Sequence, residues 1–228
     1  MPSSQSKKPA NQSATSLPHG RLLFPLMALT LILWVLYRSL FNFSVLFDES
    51  IGKAVFFALP VVFYLAITND KKVLASFAGR KIKSGLLLGI AVGGLFGFVF
   101  ALLAFLRQKL DFSAPAAYLQ PWFWRELTLA LLTSFWETLF FFSFFFTVLM
   151  NNYRRWSLAK QVLVAAFVFL LFHLPNIFLK FTLKQVLVQA LLLFAFALGQ
   201  ALFFSQRRNA YAAILIQAIW GMVLLVYF

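Results

Sequence analysis

The chain has 228 residues, of which 62% are hydrophobic and only 11% charged, with 31 phenylalanines and a formal net charge of +14. A soluble domain of this length has too little interior for so much apolar surface, so the composition excludes a soluble globular protein and describes an integral membrane protein. The positive charge would suggest nucleic acid in a soluble chain, but these Lys and Arg residues fall between apolar runs, where they set topology, and no nucleic-acid partner is expected.

Residues 1–20 are rich in Ser, Gln, Pro and Lys and lack the apolar stretch of a secretory signal, so they read as a disordered cytoplasmic tail. From 21 to 228 the chain reads as one all-α domain, a polytopic transmembrane helical bundle of about seven spans. Crossing a hydrocarbon core takes roughly 20 apolar residues, and such runs fall at 22–40, 51–68, 84–106, 126–150, 159–180, 184–204 and 209–228. The third carries Gly85, Gly89, Gly93, Gly94 and Gly97, a small-residue stripe that admits a close neighbouring helix. The segment from Arg107 to Arg125, with Pro115, Pro121, Trp122 and Trp124, reads as an interfacial loop anchored by aromatic rings.

Seven spans put the termini on opposite sides, and the basic residues choose the orientation. One side receives the clusters at 7–21, 71–83, 154–160 and 207–208; the other receives Arg38, Lys53, Arg107, Lys109, Arg125, Lys180 and Lys184. Thirteen against seven predicts a plasma-membrane protein with its N-terminus cytoplasmic and its C-terminus outside. Neither an internal duplication nor paired broken helices, marks of many transporters, can be seen.

Two ionisable residues interrupt the apolar runs. Glu137 lies in the fourth span, among Thr133, Ser134 and Thr138 at helical spacings, and His173 lies in the fifth, just before Pro175 and Asn176. A charge at the bilayer centre costs about 2.5 to 3.5 kcal/mol on insertion scales, so such a carboxylate needs a partner, a polar cavity or a task. Pro175 removes a backbone donor and frees a carbonyl one turn earlier, which predicts a kink or polar pocket beside His173. Gln189, Gln200 and Gln217 of the last two spans read first as hydrogen-bonding glue between helices.

Taken together these residues resemble the CPBP intramembrane endopeptidases, the family of CAAX proteases and bacteriocin-processing enzymes. That family carries Glu-Glu-x-x-x-Arg on one membrane helix, Phe-x-x-x-His on the next and His-x-x-x-Asn or Asp on a late one. Phe169 to His173 fits the second pattern. Glu137 fits the leading Glu of the first, but Thr138 stands at the second Glu and Phe142 at the Arg; Gln217 and Gly221 stand at the late His and Asn. The resemblance implies that Glu137 and His173 activate water and that Gln217, whose amide can donate two hydrogen bonds, stabilises an oxyanion.

A catalytic zinc takes three protein ligands from His, Cys and carboxylates. The spans supply one His, one firmly intramembrane carboxylate and no Cys, so neither a metal nor another cofactor is expected. The sequence thus points to an intramembrane endopeptidase-like protein with catalytic candidates Glu137, His173 and Gln217, acting on a membrane-associated peptide or protein substrate within the lipid bilayer. Two other readings stay open: a catalytically inactive relative that binds a membrane peptide or protein, and a small carrier or proton-relay subunit. Oligomeric state is not legible.

Overall fold

The structure, a computed structural model, describes residues 19–107 and 120–227. Seven long helices run through these residues: α1 (Leu23–Leu40), α2 (Val45–Thr68), α3 (Ile82–Arg107), α4 (Pro121–Asn152), α5 (Leu158–Lys180), α6 (Leu183–Arg207) and α7 (Ala210–Tyr227). Six stretches are long and apolar enough to cross a membrane, and Ala210–Val223 is a shorter apolar helix. At about 1.5 Å per residue the 18 residues of α7 still extend about 27 Å. The chain is therefore an all-α, polytopic membrane bundle.

Three boundaries differ from the sequence reading. α2 begins at Val45 rather than at 51, which takes Asp48 and Glu49 into the same helix as Lys53. α4 begins at Pro121, a residue whose missing N–H costs nothing in a first turn, so Trp122 and Trp124 sit on a helix and not in a loop. A 3₁₀ turn already starts at His19, inside the expected tail. The rest of that tail, and Pro115 of the expected loop, lie outside the described residues.

One end of the bundle gathers the basic connections. The Tyr153 hydroxyl donates to the Gly20 carbonyl at 3.1 Å, and Lys81 Nζ donates to the Arg208 carbonyl at 2.7 Å. The opposite end holds the hairpin between α1 and α2, clasped where Asp48 accepts from Tyr37 at 2.5 Å and from Arg38.

Between these ends the core is built from aromatic rings, because lipid offers no hydrophobic drive and shape-matched contact must hold helices together. Phe140, Phe141, Phe142, Phe144, Phe145 and Phe146 of α4 are all buried. Phe140 stacks on Phe57 of α2 at 5.0 Å, Phe141 meets Phe169 of α5 edge-on at 4.9 Å, and Phe142 lies 5.9 Å from Phe204 of α6. The Trp34 indole of α1 donates to the Phe172 carbonyl at 2.9 Å and ties α1 to α5 close to Pro175. α5 continues through that proline.

The glycine stripe of α3 faces α7. A Cβ added at Gly89 would lie 2.7 Å from the Leu215 Cβ and one at Gly93 2.7 Å from the Ile219 Cδ1, whereas one at Gly94 would meet nothing within 4 Å. Gly89→Leu should therefore lower the Tm of the purified protein, at a cost of about 1 to 3 kcal/mol for overpacking. Gly94→Ala should leave Tm unchanged or raise it, since a helix gains about 0.5 to 1 kcal/mol on exchanging Gly for Ala. Equal losses at both positions in thermal unfolding would show that α7 does not pack on this stripe.

Candidate active site

Four helices converge on one carboxylate. Glu137, 2% exposed, is the last residue of α4 before its turns widen to π geometry over Thr138–Phe146. Such widening shifts the register of side chains and recurs at functional sites. α2 does the same on the facing side, with π turns at Asp48–Gly52 and Ala54–Ala58 flanking Lys53.

His173 comes from α5. Its Nε2 lies 3.4 Å from Glu137 Oε1, and its Nδ1 is 2.8 Å from the Phe169 carbonyl oxygen one turn earlier. The Phe169 ring stacks on the imidazole with centroids 4.2 Å apart. The spacing Phe-x-x-x-His thus has a local physical content: the residue at minus four supplies both the acceptor that fixes one ring nitrogen and the face that fixes the ring plane. Gln217 comes from α7, and its Nε2 donates to Glu137 Oε2. The structure accordingly brings Glu137, His173 and Gln217 together. Gln217 is engaged with the carboxylate itself, and its Oε1 is buried without a hydrogen-bond partner.

Sequence reasoning missed Lys53. Counted there among the basic residues that set topology, it is instead 5% exposed, with Nζ 2.6 Å from Glu137 Oε1 and 2.5 Å from Glu49 Oε2. Glu49 also accepts from the Thr133 hydroxyl of α4, one turn before Glu137. The available signal was the spacing Glu49-x-x-x-Lys53, which puts acid and base on one helical face. It lies at the edge of an apolar run, where charges ordinarily mark the end of a span.

The positions at which Glu137's helix departs from the family pattern are apolar in surroundings. Phe142, at the place of the Arg, packs between Phe169 and Phe204. Thr138, at the place of the second Glu, is buried, and its hydroxyl has no hydrogen-bond partner. Gln200 of α6 donates to the Ala213 carbonyl of α7 at 2.8 Å and acts as the interhelical link expected of it. Among the described residues no three His, Cys, Asp or Glu side chains gather in a metal-holding group.

Chemically, the arrangement is a buried carboxylate with an ammonium, an amide and an imidazole around it. Comparison with known proteins matches residues 119–223 to the family described as type II CAAX prenyl endopeptidase Rce1-like. No curated protein and no solved structure matches the chain. The matched segment is a little under half the chain and runs from the start of α4 into α7, so it holds Glu137, His173 and Gln217 but not Lys53. With its Phe-x-x-x-His motif, its buried leading Glu and this match, the segment from α4 into α7 is similar to the type II CAAX prenyl endopeptidases.

Proposed function

We propose that the chain is an intramembrane endopeptidase that cleaves a membrane-associated peptide or protein with water activated by Glu137 and His173. The observation that carries this reading is the facing of two acceptors. A carbonyl oxygen only accepts, so in the neutral ring the Nδ1 beside Phe169 bears the hydrogen and Nε2 presents a lone pair toward Glu137 Oε1, 3.4 Å away. Two acceptors so placed favour a molecule that sits beside them and donates one O–H to each, and water is that molecule.

In the reaction, Glu137 takes one proton from water as the water oxygen bonds to the peptide carbonyl carbon, and the carbonyl electrons move to its oxygen. His173 holds the attacking water through Nε2. The second N–H of the Gln217 amide, the first being committed to Glu137 Oε2, donates to the oxyanion. Collapse of the tetrahedral intermediate breaks the C–N bond, and the proton held by Glu137 passes to the leaving amine.

A second reading, the inactive relative that binds a membrane peptide, draws support from a specific observation: both Glu137 oxygens already have donors, Lys53 on one and Gln217 on the other. Cleavage assays on the purified full chain separate the two. Glu137→Gln should abolish hydrolysis, the loss being about 10² to 10⁴ for a positioned base. Gln217→Ala should lower the rate by about 10² to 10³, as expected for one oxyanion donor, while Gln217→His should preserve or raise it. A wild-type chain and a Gln217→His variant that both leave a broad peptide library intact would favour the binding scaffold.

We also place the protein in the plasma membrane with the basic end of the bundle in the cytoplasm, because withdrawing Lys53 into the site leaves the opposite side poorer still in loop charge. Reporter fusions after Lys72 and after Phe228 should give opposite signals. Matching signals would reverse the assignment of one terminus.

A further inference from the structure

We infer that Lys53, seated by Glu49, is a positioning residue of this site: the counter-charge that fixes Glu137 and stays paired when Glu137 takes up a proton. For its catalytic consequence the inference rests on the hydrolytic reading above. Its structural basis is independent of that reading and lies in α2, outside the segment that matches the family.

Lys53 Nζ lies 2.6 Å from Glu137 and 2.5 Å from Glu49, so one ammonium is shared by two carboxylates on two helices. A simple buried ion pair would need only one. The second carboxylate matters during turnover. When Glu137 accepts the proton of water its charge is lost, and an ammonium with no other partner would be left orphaned in the apolar interior, the condition that makes buried pairs so sensitive to loss of one member. Glu49 remains ionised beside Lys53 at that moment and keeps it paired. Its own side chain is the more exposed of the two acids, 24% against 3%, so it carries its charge at lower desolvation cost.

The geometry also confines motion. Glu49 and Lys53 are four residues apart on one helix, and the Thr133 hydroxyl holds Glu49 against the same helix that carries Glu137. Lys53 therefore cannot leave Glu137 without either breaking from Glu49 or shifting α2 along α4. With Lys53 on Oε1 and Gln217 on Oε2, the carboxylate plane is fixed relative to the His173 Nε2. A base held in this way satisfies the tight positioning that proton transfer requires.

The test uses the full chain in detergent, with Lys53→Met, Lys53→Arg, Glu49→Gln and the double variant Lys53→Met with Glu137→Gln, read by thermal unfolding and by cleavage kinetics. Lys53→Met should lower Tm more than the double variant does, because the double removes the orphaned charge. In kinetics Lys53→Met should lower kcat by about 100-fold or more with KM little changed, as for loss of a group that positions the base without touching the substrate. Lys53→Arg should recover most of that loss, and Glu49→Gln should fall between Lys53→Met and wild type. If Lys53→Met does not accumulate, recovery of folded protein in the double variant supports the pairing and failure to recover overturns it. Wild-type kcat in Lys53→Met, or Tm losses that add across the pair, would overturn it as well. A wild-type chain without hydrolysis but with non-additive Tm losses upholds the counter-charge and removes the hydrolytic reading.

Discussion

A carboxylate inside an apolar bundle persists only where its surroundings replace the water it has lost, and Glu137 makes that demand on the whole fold. The cost of an isolated charge at the bilayer centre, about 2.5 to 3.5 kcal/mol on insertion scales, exceeds what one interhelical hydrogen bond returns. Three helices besides its own therefore contribute: α2 gives Lys53, α5 gives His173 and α7 gives Gln217. Each contribution also requires its helix to sit close to α4. The glycine stripe of α3 draws α7 in, and Trp34 of α1 fastens α5 through the Phe172 carbonyl.

The aromatic residues that surround this polar point explain its isolation. Six buried phenylalanines follow Glu137 within nine residues of α4, and they fill the space toward the basic end of the bundle. An Arg in place of Phe142 would have to enter the gap between the Phe169 and Phe204 rings. The family pattern of a second acid and a base on this helix is thus incompatible with the packing that this sequence has adopted. On the side away from these rings Glu49 is partly exposed, where α2 begins.

Much of this was legible in the sequence, and the reasons are specific. Apolar runs separated by basic clusters gave the seven helices because length and hydropathy are intrinsic to each segment. Glu137 and His173 stood out because an ionisable group in the middle of a span has few neutral explanations. Gln217 was noticed only through its register in the late motif; on its own it is indistinguishable from Gln200, which is indeed a link between helices. Lys53 was hidden for the opposite reason. Near the end of an apolar run, close to Asp48 and Glu49, it has the look of a boundary charge, and only three-dimensional pairing reveals Asp48 on Arg38 and Lys53 shared between Glu49 and Glu137. The span was accordingly started six residues late.

The placement of Lys53 and Glu49 on α2 has a mechanical consequence. In the family pattern the second acid and the base stand four residues apart on the helix of the leading Glu, so their relation to it is set by helical geometry alone. Here the same chemical pair stands at the same spacing, Glu49 to Lys53, on a different helix. Its relation to Glu137 is then a tertiary quantity, dependent on how α2 docks against α4. That docking includes the stacking of Phe57 on Phe140 and the Thr133 hydroxyl on Glu49, while the Arg38–Asp48–Tyr37 clasp ties α2 to α1. Asp48 precedes Glu49 directly, so the clasp and the pair that holds Glu137 share one stretch of backbone. One ion pair, one turn of π helix and one lysine side chain thus separate the outer hairpin from the buried carboxylate.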